Sequence, residues 1–308
     1  MLAYMIEISA QVAVLFLMIA AGFIMFKFGG IKSSYLSGFT SVLLYLVTPA
    51  LLIDSMLSVE FSPQAVSELL LVFAIAMAVH IFAFCISLGF FRKKAFEQKV
   101  VFRAATILSN AGFMSLPLAN ALSGAKGVFL VSVYVMAFNI VSWTIVYKMF
   151  NPKGFNLKKL LLNPGIIGVG IGAVFFFSGI RPPEIFGSAV GYLADMNTPL
   201  AMIVIGGMIA TGGFKIKKEE ILGMVQSISL RLLIIPLVAL AALVLLKLDA
   251  ALIFAVMIPI CAPVAANTAM FAGQFGADGP LGSRLLAVST LLSIITMPLI
   301  LSLAKVLA

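Results

Sequence analysis

Long apolar runs, separated by short clusters of charged and turn-forming residues, dominate the chain. A helix needs about 20 apolar residues to cross the hydrocarbon core of a bilayer. We expect the first run to be a retained span, because no basic segment precedes it and it is too long for a signal peptide. The pattern predicts ten membrane-spanning helices, at residues 5–26, 38–57, 66–91, 101–122, 127–149, 164–180, 185–211, 222–246, 250–274 and 282–306.

The composition excludes other classes of protein. Of the 308 residues, 63% are hydrophobic and 10% are charged, and the mean hydropathy is +1.20. A soluble domain carries roughly 25% charged residues, and a disordered chain is polar and rich in charge. The apolar runs are also too long and unbroken for the alternating strands of a β-barrel. The predicted fold class is therefore an all-α polytopic membrane protein.

The basic residues indicate an orientation in the membrane. The net charge is +9, but the lysines and arginines cluster between apolar runs, which argues against a nucleic-acid partner. The odd-numbered loops hold 15 of them, and the even-numbered loops with the C-terminus hold 4. By the positive-inside rule the odd loops are cytoplasmic and both termini are outside. The 15 are Lys27, Lys32, Arg92, Lys93, Lys94, Lys99, Arg103, Lys148, Lys153, Lys158, Lys159, Lys215, Lys217, Lys218 and Arg284; the 4 are Lys126, Arg181, Lys247 and Lys305.

One arginine falls inside an apolar run. Arg231 lies near the predicted start of the eighth span. A long basic side chain in such a position can snorkel to the interface, so we expect Arg231 to reach the same face as Lys217. No lysine or arginine is then expected near the membrane midplane.

Three short motifs recur in the same order in the two halves of the chain. Thr48-Pro49 matches Thr198-Pro199, Pro117-Leu118-Ala119-Asn120 matches the segment 263–267, and a Gly-Ala-x-Gly loop follows the second motif each time. Five spans per half is an odd number, so the second half enters the membrane from the opposite side. We therefore predict an inverted repeat, with residues 1–150 as the first five-helix unit and 163–308 as the second, which is a common plan for secondary transporters.

The fourth and ninth predicted spans contain prolines and polar residues in their middle parts. Proline removes a backbone donor and disturbs the helix, and freed backbone groups must face protein or a cavity rather than lipid. We predict crossing helix breaks at Pro117 and Pro263, where a restarting half-helix presents free N–H groups to an anion. A purely structural role, satisfying freed backbone groups and joining helices, is the alternative. The candidate substrate-binding residues are Asn110, Ser115, Asn120, Asn139, Asn267 and Thr268.

Two further side chains are candidates for proton coupling. His80 is the only histidine and lies in the middle of the third span, and histidine titrates near neutral pH. Asp195 precedes the second Thr-Pro motif in the outer half of the seventh span. A hydrogen-bonded core histidine and an interfacial carboxylate are the alternative interpretations of these two residues.

No cofactor or metal site is predicted. Cys85 and Cys261 both lie in apolar runs and are read as small buried residues rather than a disulfide or metal site. A single histidine does not supply a two-histidine metal site, and no GxSxG, HExxH or GxGD motif is present. The sequence therefore disfavours an intramembrane enzyme.

The sequence resembles bacterial members of the auxin efflux carrier family over nearly its whole length. The resemblance rests on LVTPALL at 46–52, NAGFMSLPL at 110–118, NTPLA at 197–201 and PVAAN at 263–267. It implies two inverted five-helix repeats with broken, crossing helices 4 and 9, a fold shared with sodium–bile acid symporters. Helices 1, 2, 6 and 7 would form a scaffold, and helices 3, 4, 5, 8, 9 and 10 a transport unit. It also implies that Asn110, Pro117, Pro263 and Asn267 lie at the crossover.

These observations lead to one expected function and several open alternatives. The resemblance implies carboxylate substrates, because bacterial members are described as permeases for malate, malonate and similar acids. We expect a secondary transporter that moves a small organic anion, a mono- or dicarboxylate, across the cytoplasmic membrane by alternating access. A sodium-coupled symporter of the bile-acid-transporter type and a passive channel remain alternatives. Coupling to H⁺ or Na⁺ and assembly as a homodimer are left open.

Overall fold

A computed structural model describes residues 2–151, 157–212 and 216–308 of the chain. The described residues form helices, and the only extended pairing among them is an isolated β-bridge. Lys153 and Lys215, two of the basic loop residues, lie outside the described residues. Seven described helical segments are long and apolar enough to cross a membrane, and two shorter apolar helices accompany them. The all-helical class is thus confirmed, whereas the ten-span inverted repeat stays a prediction.

The helices of the first half follow the predicted apolar runs. A short 3₁₀ turn at Ser33–Tyr35 precedes α2, and three π-helical segments, at Leu43–Val47, Ala111–Ser115 and Ser142–Val146, lie between α-helices. The α-helices are α1 (Leu2–Lys27), α2 (Leu36–Val42), α3 (Thr48–Leu57), α4 (Pro63–Gly89), α5 (Phe96–Ile107), α6 (Leu116–Val141) and α7 (Tyr147–Phe150).

The second half contains the remaining helices and a fourth π-helical segment, at Leu230–Ile234. The helices are α8 (Leu157–Leu161), α9 (Pro164–Ser178), α10 (Glu184–Asp195), α11 (Asn197–Gly212), α12 (Lys218–Ser229), α13 (Ile235–Leu245), α14 (Ala250–Cys261), α15 (Ala266–Gln274) and α16 (Gly279–Leu307).

Two of the predicted spans differ in detail from the structure. The seventh is divided into α10 and α11, which meet at Met196 just before the second Thr-Pro motif. The predicted loop between the fourth and fifth spans is a bend inside α6, where Gly124 has the non-helical angles φ 56° and ψ −153°. A positive φ is accessible to glycine at little steric cost, which explains why the bend occurs at this residue.

Prolines account for three of the four π-helical segments. The segments that end at Val47, Ser115 and Ile234 each stop two residues before a proline. Proline cannot donate to the preceding turn, and its ring collides with the carbonyl four residues earlier. An extra residue in that turn relieves the collision, so the helix continues through the proline as a π-bulge instead of stopping.

Pairs of helices from the two halves pack closely against each other. α1 lies along α11, and α3 lies along α9. A Cβ atom at Gly168 of α9 would lie 2.8 Å from Pro49 Cα, and one at Gly22 of α1 would lie 2.6 Å from the Ile203 carbonyl oxygen. Small residues at such contacts let two backbones approach, which is how helices commonly associate in membranes. Large apolar side chains such as Leu17, 71% exposed, face outward where lipid would cover them.

Contacts between loops group the helix ends into two sets. Lys94, after α4, donates to the Glu219 carbonyl at the start of α12. Arg284 of α16 pairs with Glu220 at 2.6 Å, which joins the same end of α12 to the start of α16. The ends that precede α5, α12 and α16 therefore lie together on one side of the molecule.

The other set of helix ends is joined in the same way. Arg181, between α9 and α10, donates to the Leu57 carbonyl at the end of α3. Lys126, at the bend in α6, lies 3.5 Å from Glu68 near the start of α4. Glu68 lies near the start of the 27-residue helix α4 and Lys94 follows its end, so the two sets lie at opposite ends of that helix.

Candidate functional site

The two predicted broken helices are interrupted in the structure, and the interruptions pair with each other. α5 ends at Ile107 and α14 ends at Cys261, and helix resumes at Ala111 and Ala266. Between them Ser109 and Val264 form an antiparallel β-bridge. Each break thus satisfies backbone groups of the other, as a water-free environment requires. We call the segments 108–110 and 262–265 together the crossover.

Two backbone hydrogen bonds hold the crossover together. The Asn110 N–H donates to the Pro263 carbonyl at 2.7 Å, and the Ala265 N–H donates to the Leu108 carbonyl at 3.0 Å. Three consecutive residues of one break, 108–110, are therefore paired with three of the other, 263–265. The crossover is a rigid point from which four half-helices diverge.

The positions of the two prolines need one correction. Pro263 lies in the second interruption, as expected. Pro117 lies in the first turn of α6, seven residues after Asn110, and is not at the break itself. Helix has already resumed at Ala111, and the π-helical segment Ala111–Ser115 accommodates the proline, so the unwound residues are those that pair across the crossover.

A cavity of about 700 Å³ adjoins the crossover. Among the sequence candidates, Asn110, Asn139 and Asn267 line it. The side-chain Nδ2 group of Asn110 has no hydrogen-bond partner, although the residue is only 4% exposed. An amide NH₂ left unpaired at such burial costs free energy unless a ligand or water binds it, so this group is the most informative polar atom in the cavity.

The other two asparagines occupy different environments in the same cavity. Asn139 of α6 donates to the Val135 carbonyl at 3.0 Å, and its amide sits where a side chain on Gly165 would otherwise be, 2.7 Å from the position of a Cβ. Asn267, in the first turn of α15, is half-buried. The three amides therefore come from the two broken helices and from the helix packed beside them.

The remaining candidates do not line the cavity. Ser115 is fully buried and donates to the Asn110 carbonyl at 3.4 Å, and Thr268 is also fully buried. Asn120 is exposed in the first part of α6, and Asp195 is exposed at the end of α10. His80 is 1% exposed, and its Nδ1 lies 2.7 Å from the carbonyl oxygen of Ala76 in the same helix. The cavity wall contains Asn110, Asn139 and Asn267 but not Ser115, Asn120, Thr268, Pro117, Pro263, His80 or Asp195.

Apolar and aromatic side chains make up most of the cavity wall. Phe113, Phe138 and Trp143 lie near the asparagines. Lys158 of α8 and Gln274 of α15 lie at the end of the cavity away from the crossover. The sequence analysis did not select these residues, because an aromatic residue in an apolar run looks the same whether it faces lipid, core or cavity.

Gly112 brings backbone to the cavity surface. It follows Ala111 at the start of the resumed helix, and a Cβ at this position would meet no atom within 4 Å. The first N–H groups of a helix have no partner within it and carry the positive end of its dipole. Together with the Asn110 amide, this part of the wall presents hydrogen-bond donors to the cavity.

Arg231 departs from the sequence prediction. It is 1% exposed and points into the protein, so it does not snorkel to the interface. One guanidinium nitrogen lies 3.4 Å from the carbonyl oxygens of Thr106 and Ile107, and another lies 2.5 Å from that of Ile260. A positive charge is therefore buried at the crossover. The sequence did contain a signal for this role: Arg231 stands alone within an apolar span, and ionisable residues in such positions are usually functional.

The fold and the cavity define a multi-pass helical membrane protein with a largely apolar cavity, lined also by three asparagines, beside the point where two interrupted helices pair. A family model described as membrane transport protein matches residues 7–159 and again residues 153–301. The chain belongs to this membrane transport protein family, which confirms the resemblance at the level of the family. A protein of Methanothermobacter thermautotrophicus described as an uncharacterized transporter is 23% identical over 288 residues, 92% of this chain and 93% of that protein.

Proposed function

We propose that this transporter is a secondary carrier of a small organic anion and that the crossover cavity binds the substrate. The observation that carries the proposal is the unpartnered Asn110 amide, nearly buried, in the wall of a cavity of about 700 Å³. A cavity of this size is in the usual range for small-molecule sites. The family supports transport, and the site chemistry supports an anion.

The anionic head of the substrate would bind at the crossover end of the cavity. The Asn110 amide, the half-buried Asn267 and the N–H groups near Gly112 offer donors there. Hydrogen bonds to a charged group are worth about 1.5–3 kcal/mol each. Arg231 lies behind the same backbone and adds a positive charge, although the cavity wall does not include it.

The rest of the cavity favours a substrate with an apolar body. Phe113, Phe138 and Trp143 provide flat apolar surfaces beside the asparagines. A compact dicarboxylate would leave these surfaces in contact with water, whereas a monocarboxylate with an aromatic or aliphatic body would cover them. We therefore favour a monocarboxylate within the class of small organic acids.

Alternating access is supported by the arrangement of the helices. The pairs α1 with α11 and α3 with α9 join the first half to the second in equivalent ways, as an inverted repeat would. Thr48 of the first Thr-Pro motif donates to Asn197 beside the second, at 3.3 Å. In the proposed cycle the scaffold formed by these helices stays in place while the crossover and its half-helices move past it.

The grouping of helix ends supports the proposed orientation in the cytoplasmic membrane. Lys305, near the C-terminus, lies 3.4 Å from Glu7 near the N-terminus, as expected if both termini lie on the outer side. Lys158 of α8 and Gln274 at the end of α15 line the cavity, and both lie beside loops that are predicted to be cytoplasmic. The cavity would then open to the cytoplasm, and a second state would open it outward.

A sodium-coupled symporter and a passive channel are the alternative functions. A carrier gives saturable flux that supports exchange of labelled substrate against unlabelled substrate, whereas a channel does not. The unpartnered Asn110 amide in the cavity wall indicates a binding site, which favours a carrier. Coupling to H⁺ or Na⁺ and a homodimer remain predictions.

The proposal is tested by ligand-induced thermal stabilisation of the purified protein. The probes are phenylacetate, as an apolar monocarboxylate, and malonate, as a compact dicarboxylate, each at two pH values with sodium or choline as the cation. We expect phenylacetate to raise the melting temperature more than malonate does. In Asn110→Ala the apparent affinity should fall roughly tenfold to a hundredfold, because a charge-assisted hydrogen bond is lost.

Asn120→Ala is the matched control, because Asn120 lies in the helix that follows Asn110 but is exposed and lies outside the cavity wall. It should bind the probe as the wild type does. Equal loss of affinity in both variants, or no loss in Asn110→Ala, would remove the crossover site from the proposal. Liposomes loaded with unlabelled phenylacetate then distinguish exchange from passive leakage.

A further inference from the structure

The guanidinium of Arg231 joins the carbonyl ends of both broken helices. It contacts the last carbonyls of α5, those of Thr106 and Ile107, and also the Ile260 carbonyl near the end of α14. These two helices come from different halves of the chain, yet one side chain binds both. Among the described residues no carboxylate forms an ion pair with Arg231.

The contact has a direct electrostatic reason. The last four carbonyl groups of a helix have no partner within the helix, and they carry the negative end of the helix dipole. Two such ends meet at the crossover, in the buried interior of the protein. A planar guanidinium has five donors in a fixed geometry and binds groups on two sides at once, which an ammonium group does less well.

A local distortion of the helix places Arg231 in this position. The residue lies in the π-helical segment Leu230–Ile234, and this segment ends two residues before Pro236. Leu233 and Ile234 in the same turn are 43% and 41% exposed on the outer surface, while Arg231 faces inward. The wider turn rotates the arginine toward the crossover, and π-bulges of this kind occur frequently at functional sites.

In transporters with broken helices, unwound carbonyls and half-helix C-terminal ends are the groups that coordinate a coupling Na⁺. We propose that Arg231 occupies this place as a fixed internal cation: it is a positioning residue that holds the two half-helices together and leaves no carbonyl site for a sodium ion. The inference builds on the proposed function of the crossover. Its consequence is that the crossover keeps its geometry without Na⁺.

The experiment uses Cys261, whose thiol is 1% exposed at the end of α14 next to Ile260. In a Cys85→Ala background, Cys261 is the only thiol left, and its reaction with N-ethylmaleimide reports whether the crossover is closed. We expect slow labelling at the same rate in sodium and in choline chloride. Arg231→Ala should be labelled at least tenfold faster, and millimolar guanidinium should restore most of the protection.

Arg92→Ala, which removes an exposed arginine after α4, is the matched control and should keep Cys261 protected. If Arg231→Ala does not fold, Arg231→Lys replaces it and should label faster than the background, because one ammonium does not reach both helix ends. The proposal is overturned if the Arg231 variant stays protected, if guanidinium does not restore protection, or if sodium alone protects the Cys85→Ala background. Because labelling needs no substrate, failure of the anion-carrier proposal would leave this result unaffected.

Discussion

The close contact between α9 and α3 allows a quantitative prediction. A methyl group added by Gly168→Ala would lie 2.8 Å from Pro49 Cα and 3.1 Å from its carbonyl oxygen, where ordinary contact begins at 3.4 Å. The two helices must separate by about 0.6 Å, the difference between 3.4 Å and 2.8 Å, because both atoms of Pro49 belong to the backbone. Overpacking of this kind costs about 1–3 kcal/mol.

The expected change in melting temperature follows from this free energy. At about 2 °C per kcal/mol for a chain of this size, Gly168→Ala should lower it by ~2–6 °C. Gly170→Ala is the control in the same helix, because a Cβ there meets no atom within 4 Å. Alanine is also the better helix former, so the control should melt at or above the wild-type temperature. The measurement is thermal unfolding in detergent, followed by size-exclusion chromatography.

The reasoning would be refuted by a Gly168→Ala protein that is as stable as Gly170→Ala. That result would mean that α9 and α3 do not touch through these backbones, and the proposed scaffold would lose its closest contact. A loss of stability in both variants would indicate that α9 tolerates alanine at neither position. We do not expect this result, because the space around Gly170 is open.

Two further predictions concern buried polar groups. Glu220→Gln should lower the free energy of unfolding by about 3 kcal/mol. The fully buried carboxylate pairs with Arg284 at 2.6 Å, and its removal leaves the buried arginine without its main ionic partner. Asp278, 3.9 Å from Arg284, remains as a weaker partner. The same change at Glu68, whose partner lysine is exposed, should cost less than about 0.5 kcal/mol, and thermal unfolding of the two variants separates these values. His80→Phe should leave the pH dependence of probe binding unchanged, since His80 is buried and outside the cavity wall; a flattened profile would make His80 the proton-coupling group.

The sequence located the two interruptions to within a few residues. Asparagine, glycine and proline in the middle of an apolar run indicate weakened helix, and Asn110 and Asn267 were selected on this basis. The same reasoning misplaced Pro117 because it treated proline as a helix breaker. The helix continues through Pro117 after the π-helical segment Ala111–Ser115, and the actual break at 108–110 is the segment that pairs with the other break.

Candidate residues of the same type could be distinguished only in the structure. Asn110 and Asn120 are both asparagines in the same predicted span, but one lines the cavity and the other is exposed. The direction of a side chain depends on helix phase, and the phase after an interruption and a π-bulge no longer follows the 3.6-residue period. The substrate candidates therefore needed the tertiary structure.

The apolar runs were enough to identify a membrane protein made of helices, because the transfer of apolar side chains from water into lipid depends on composition and run length alone. The recurring motifs also indicated where the helices weaken. The burial of Arg231 against Thr106, Ile107 and Ile260, rather than at the interface, became evident only in the folded chain. The reason is that burial of a charge depends on partners distant in sequence: the carbonyl ends that stabilise Arg231 come together only when the two breaks cross.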